Sequence, residues 1–327
     1  MPRATGPTLP DTLPGAPPRP DAVDFERVRE RALGAYLGLA VGDALGATTE
    51  FMIPAEIRAR HGVHQNMTGG GWLHLKPGQI TDDTQMSLAL GNALLEAGGM
   101  DPHCVARHYL AWMAAKPVDI GHTVRRGLVR YRALGTVEAA YSPHAAGNGG
   151  AMRNLPVVLA TLGDRAAFVE WSLAQARVTH NHPEADAGTL LLGDLTRQAL
   201  LLGGEAPVQT LIRTWTEAFP AFDPRRFRGE TDGYVVHTAR TVLHFFTNTF
   251  DFESCLVATV NQGGDADTNG ALAGALAGAF YGPDAIPGRW LKRLDPNARR
   301  AIEGQVDALL ERFPPCPRRA VTPAGSP

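Results

Sequence analysis

The chain has 327 residues, 44% of them hydrophobic, and a formal net charge of −2. That is enough apolar material for one large core or two modest domains. The charge balance, with no basic run beyond short pairs such as Arg225-Arg226 and Arg318-Arg319, excludes a partner held by bulk electrostatics such as nucleic acid.

In chain order, residues 1–22 carry seven prolines and no continuous apolar stretch. The missing amide donors predict a disordered tail, and the composition is not that of a signal peptide. Residues 314–327 read the same way, which leaves a folded body over 23–313. Three cysteines without close spacing (Cys104, Cys255 and Cys316) point away from a disulfide framework and a structural zinc site, and toward a reducing cytoplasm. No apolar run reaches the roughly 18 residues of a membrane span.

Within the body the dominant period is helical. Between Phe25 and Leu45, apolar residues recur at three- and four-residue steps. On the same segment Gly34, Gly38, Gly42 and Gly46 fall four apart on one face. Each costs about 1 kcal/mol relative to alanine in a helix, so the stripe predicts close packing against another helix or backbone. Further helices are predicted at 84–97, 101–115, 120–134, 151–162, 165–178, 184–202, 207–218, 232–248, 252–262, 268–281 and 296–312. The Ala/Gly stretch from Gly270 to Gly282 has small residues on most faces, the composition of a central buried helix. Strand-like alternation is scarce and there is no βαβ rhythm. The fold class is all-α, a single compact multi-helix domain, with glycine-rich loops at 68–71, 147–150 and 263–264 gathering on one side.

Several polar motifs interrupt this pattern. Asp43 sits near the end of the first predicted helix, where the dipole disfavours an acid; a structural bond to a neighbouring helix N-terminus is the better reading than catalysis. Glu50 is either a surface acid or an acid on the substrate side. Thr81-Asp82-Asp83-Thr84 runs into a helix, so its acids either cap that helix or ligate a metal. Asp119 precedes an amphipathic segment and reads first as a cap, then as a substrate-facing carboxylate. Gly147-Asn148-Gly149-Gly150 opens another helix, and its amides would suit a phosphate. Thr179-His180-Asn181-His182 offers either a substrate-contacting histidine or a plain cap. In Gly263-Gly264-Asp265-Ala266-Asp267-Thr268, two glycines permit positive φ just before acids that border the most buried-looking helix. Carboxylates there are costly unless paired or metal-bound. Together the two acidic clusters offer four carboxylates and several hydroxyls, a hard-oxygen set for Mg²⁺ or Mn²⁺. If the fold joins them, they form a two-metal hydrolytic centre.

In this order the segments resemble the ADP-ribosylglycohydrolase family. They are Gly34–Gly38 with Gly42–Gly46, Thr81–Thr84, Gly147–Gly149, Thr179–His182 and Gly263–Thr268. Met67–Trp72, Leu75–Gln79, Pro117–Asp119 and Val260–Gln262 point to its branch acting on the iron protein of nitrogenase. The likeness spans nearly all of 30–312. It implies an all-helical fold with a binuclear Mn²⁺ or Mg²⁺ centre in a loop-lined cleft. Thr81, Asp82, Asp83, Asp265, Asp267 and Thr268 would be the ligands, and Asp83 counts with the catalytic residues as well. Asp119 and Glu50 would be catalytic acids. His180, Asn148, Gly149, Gly150, Tyr234 and His122 would face substrate, although His122 stands where the resemblance leads one to expect asparagine. The implied reaction removes ADP-ribose from an arginine of dinitrogenase reductase. The alternatives are hydrolysis of O-linked ADP-ribose or of a free ADP-ribose derivative, and a non-enzymatic ADP-ribose sensor. The likeness further implies regulation by a PII-type signalling protein and reversible recruitment to a membrane ammonium channel.

Overall fold

In a computed structural model that describes residues 24–315, the first helix opens at Asp24, whose carboxylate accepts the amides of Glu26 and Arg27. That helix, α1, runs Phe25–Gly46. It is followed by α2 (Pro54–His61), α3 (Asp82–Ala97), α4 (Pro102–Ala114), α5 (His122–Leu134), α6 (Gly149–Met152), α7 (Leu155–Ala160) and α8 (Arg165–Arg177). Then come α9 (Pro183–Leu202), α10 (Val208–Ala218), α11 (Val235–Asn248), α12 (Phe252–Val260), α13 (Ala266–Tyr281), α14 (Gly288–Leu291) and α15 (Pro296–Arg312). Among the described residues there is no strand, only isolated bridges at Gly70–Leu75 and Gly147–Tyr234. The all-α expectation therefore holds, with one core. The tails predicted for 1–22 and 314–327 lie outside the described residues, apart from Pro314 and Pro315.

The helix ends follow local chemistry. Asp101, Asp164, Asp251 and Asp295 accept first-turn amides of α4, α8, α12 and α15. Gly98 and Gly135 close α3 and α5 in the left-handed region. The helix predicted over 151–162 is two short ones, α6 and α7. Pro156 has no amide and its ring clashes with a preceding helical carbonyl, so it sits in the first turn of a new helix. Helices α2 and α14 are too short to show as periodicity.

The centre of the molecule is the antiparallel pair α1 and α13. A Cβ at Gly34, Gly38, Gly42 or Gly46 would stand under 3.0 Å from the carbonyl of Gly278, Gly274, Gly270 or Ala266 respectively. The reverse holds for Gly270, Gly274 and Gly278. The two backbones thus touch along three turns, and the penalty of helical glycine is offset by close dispersion contact. Nearly all of α13 is buried. Helices α3, α9, α11, α12 and α15 surround the pair.

Gly38→Ala and Gly42→Ala meet partner backbone that cannot move aside, and each is expected to destabilise by more than about 3 kcal/mol. Gly304, exposed in α15 with open space around it, is the control: Gly304→Ala stabilises by roughly 0.5–1 kcal/mol. Urea denaturation of the three variants measures both effects.

Candidate metal centre

Because α1 and α13 are antiparallel, the last turn of α1 lies beside the first turn of α13. Asp43, fully buried there, accepts from the N-terminus of α3. It takes the Thr81 amide at 2.9 Å, the Thr81 hydroxyl at 2.8 Å, the Thr84 amide at 3.1 Å and the Thr84 hydroxyl at 2.5 Å. The acid placed badly for its own helix dipole thus caps another helix. It also fixes Thr81, Asp82 and Asp83 at the start of α13.

The turn before α13 is built by Gly263 and Gly264, at φ 70° and 63°. A Cβ on either would strike the Met52 carbonyl or Thr231. The Gly264 amide donates to the Met52 carbonyl at 3.0 Å and its own carbonyl accepts the Phe51 amide at 2.7 Å. This pairing draws Glu50 to Asp265 and Asp267. The Trp72 indole then donates to Glu50 Oε2 at 2.6 Å. The Asp265 amide is held by the Thr231 carbonyl at 2.6 Å, and its Oδ2 by Asn148 Nδ2 at 2.5 Å.

The two acidic clusters therefore meet. Oxygens of Asp82, Asp83 and Asp267 lie within 4.8 Å of one another, and so do those of Glu50, Asp265 and Asp267, so Asp267 belongs to both triads. Thr81 Oγ1 is 3.4 Å from both Asp83 Oδ2 and Asp267 Oδ2, but its single proton goes to Asp43. Thr268 Oγ1 is 3.3 Å from Asp83 Oδ2. Asp83 Oδ1 is buried with no partner at all. Hard oxygens converging with too few protons among them, one orphaned, form a donor set that could hold a metal ion. Six sequence-assigned ligands (Thr81, Asp82, Asp83, Asp265, Asp267 and Thr268) stand at this point, and Glu50 joins them.

Electrostatics agree. Burial, then the neighbouring carboxylates, push Asp82 up to about 7 and Glu50 up to about 8, the latter against the Trp72 hydrogen bond. Burial also raises Asp43 to about 6, although four donors oppose it. Asp83 and Asp267 are raised well above the carboxylate range, chiefly by burial and then by adjacent acids.

Above these acids opens a cleft of about 520 Å³. Asp119, His122, His180, Asn148, Gly149, Glu50 and Phe51 are among the residues that line it. Asp119 does not cap α5, whose N-cap is Gly121; its charge acts on Asp82, Glu50 and Asp265. His182 caps α9 by accepting the Glu184 amide. His180 is the member of that pair in the cleft, and burial followed by Arg153 and Arg126 lowers it to about 3, so it is neutral. The Thr179 hydroxyl accepts from Arg153 Nη2 at 2.8 Å and is 2.8 Å from His180 Nδ1.

Other assigned residues stand elsewhere. Gly150 packs under Ala176 and Thr189 and gives its carbonyl to Gln175. Tyr234 lies outside the cleft lining, where burial and the Glu184 carboxylate push its phenol up to about 12. The Asn148 amide, expected to face a phosphate, donates to the Gly233 carbonyl at 3.0 Å, because the loop is zipped to the start of α11. The sequence did not single out Trp72, Arg153 or Thr231 for the site. For Trp72 the only local signal was its place after three glycines.

A model of the ADP-ribosylglycohydrolase family matches residues 24–318. The chain is 53% identical to the ADP-ribosyl-[dinitrogen reductase] glycohydrolase of Rhodospirillum rubrum, over 86% of this chain and 96% of that one. It is 31% identical to an ADP-ribosylarginine hydrolase of Serratia proteamaculans, over 83% and 76%. A solved structure described as an ADP-ribosylglycohydrolase-related protein complex superposes with a TM-score of 0.78 at 38% identity, covering 88% of this chain and 99% of that one.

The raised carboxyls give a signed pH dependence. Each binds its proton more tightly in the fold than in the unfolded chain, where the values are 3.8 and 4.5. The stability they confer is complete below about pH 4 and is lost as pH rises through about 6 to 8. In chelator the melting temperature should therefore fall across that window, and Mn²⁺ should flatten the slope. A melting temperature that climbs with pH in chelator would contradict the geometry of the cluster.

Proposed function

The chain belongs to the ADP-ribosylglycohydrolase family, and from that premise we propose that it removes ADP-ribose from an arginine side chain of dinitrogenase reductase, restoring nitrogen fixation. The observation that carries the reading is the pair of oxygen triads sharing Asp267 on the floor of a cleft. The relatives' names supply the substrate class.

In this proposal Thr81, Asp82, Asp83, Asp265, Asp267 and Thr268 would hold two Mn²⁺ or Mg²⁺ ions, with Asp83 shaping the reactive face. When bound, such cations supply Lewis acidity and counter-charge in the cleft. The scissile bond joins ribose C1 to a guanidinium nitrogen, and its cleavage passes through an oxocarbenium-like state. The carboxylates that would hold the ions offset their charge, so the cleft need not oppose that developing positive charge. The guanidinium leaves with the bond's electron pair as neutral guanidine, which takes up a proton to become free arginine. Glu50, held by Trp72 and reluctant to ionise, is the group assigned to give that proton, and Asp119 to accept one from water. Neutral His180, held at Nδ1 by Thr179, contacts a substrate oxygen or hydroxyl through Nε2. Asn148 orients Asp265, while Gly149 and His122 complete the walls.

Regulation by a PII-type protein and recruitment to an ammonium channel belong to the same reading and rest on the resemblance alone. Among the described residues no helix is long and apolar enough to cross a membrane, so recruitment would run through a partner.

Asp82→Ala and Asp265→Ala are expected to abolish Mn²⁺-dependent release of ADP-ribose with helical content unchanged by circular dichroism. Full activity in either variant would overturn the centre. Asp119→Asn should lower kcat by roughly 10²-fold or more. Parallel assays on arginine-linked and serine-linked ADP-ribose separate this reading from an O-linked hydrolase: preference for the serine linkage would reassign the substrate.

A further inference from the structure

The spacing of the cysteines spoke against zinc, yet the fold surrounds one of them with metal-ligating groups. Cys104 and His108 are four apart on α4 and so share a face. Glu96, in the last turn of α3, reaches both. Its Oε1 is 3.4 Å from Cys104 Sγ and its Oε2 is 2.8 Å from His108 Nε2. One ligand atom from each of the three lies within 4.8 Å of the other two. We infer that Glu96, Cys104 and His108 form a second metal site, separate from the cleft, for a borderline-soft cation of the zinc class.

The distances suit such an ion. With metal–ligand bonds of about 2.0–2.3 Å, tetrahedral ligand atoms stand roughly 3.5 Å apart, so closure needs only small side-chain rotations. The charges suit it too. A thiolate and a carboxylate balance a dication, the imidazole binds neutral, and the thiol proton leaves to solvent as the sulfur–metal bond forms. Glu96 is exposed and His108 partly so, which leaves an entry path and a fourth position for water. Cys104 is 1% exposed, so its sulfur approaches the ion from the protein side. The Arg107 guanidinium, 3.6 Å from Glu96, competes for the carboxylate and sets the affinity.

Ligand type separates this site from the cleft. Thiolate and imidazole select zinc-class ions over Mn²⁺ and Mg²⁺, whereas the cleft offers oxygen alone. The two lie at opposite ends of α3, roughly 20 Å apart along its axis. An ion at the outer end would fasten α3 to α4 without entering the reaction.

Cobalt reports the site directly, because only a thiolate ligand gives sulfur-to-Co²⁺ charge-transfer absorption in the near ultraviolet. Metal-stripped full-length protein titrated with Co²⁺ should develop that band to one equivalent, and Zn²⁺ should bleach it. The band should vanish in Cys104→Ser and in the partly exposed His108→Ala. It should persist in the double variant Cys255→Ser/Cys316→Ser and strengthen at limiting Co²⁺ in Arg107→Ala. Circular dichroism matched to wild type separates a lost ligand from a lost fold. If Cys104→Ser does not fold, His108→Ala decides. No band in the wild type, or one undiminished in a folded Cys104→Ser or His108→Ala, overturns the site. Since the readout is independent of hydrolysis, it stands or falls apart from the proposed activity.

Discussion

Backbone contact between α1 and α13 is the constraint from which the cluster of acids follows. Glycines at four-residue spacing on both helices remove every Cβ between them, so the axes approach until carbonyl oxygens occupy the space side chains would need. Antiparallel direction then matters as much as closeness. It places the end of α1, with Asp43 and the loop to Glu50, beside the start of α13, with Asp265 and Asp267. Two segments separated by more than two hundred residues become one site through a contact made of backbone.

Asp43 turns that contact into chemistry. It spends all its acceptor capacity on the first turn of α3, so the orientation of Asp82 and Asp83 is set by a residue that need touch no ion. The result is a crowd of carboxylates that is unfavourable in isolation. Burial and mutual repulsion raise their proton affinities together. Local strain of this kind is held in place by the large core around it, and it marks a functional site.

Next to His180 the fold uses the reverse device, a buried cation. Arg153 is enclosed completely, lies over the Tyr109 ring at 4.6 Å and bonds the Gln175 side chain and carbonyl. Through Thr179 it anchors the His180 ring at Nδ1, and its charge helps keep that ring neutral. Clustered acids and a neutral imidazole lining one cleft suit a substrate whose hydroxyls need partners.

The sequence by itself determined the helical class, the close-packed glycine face, the buried Ala/Gly helix, the structural role of Asp43 and the oxygen chemistry of the two acidic clusters. Those properties are written in short-range spacing, where helical period, backbone permissiveness and ligand hardness are local. Tertiary structure decided that the clusters share Asp267, that Trp72 holds Glu50, that His180 faces the cleft while His182 caps a helix, and that Gly150 and Tyr234 lie outside the cleft lining. It also gathered Glu96 and His108 around a cysteine that spacing alone had set aside. Each of these depends on the direction in which a side chain leaves the backbone and on a partner remote in the chain, and neither is encoded in the residues on either side of it.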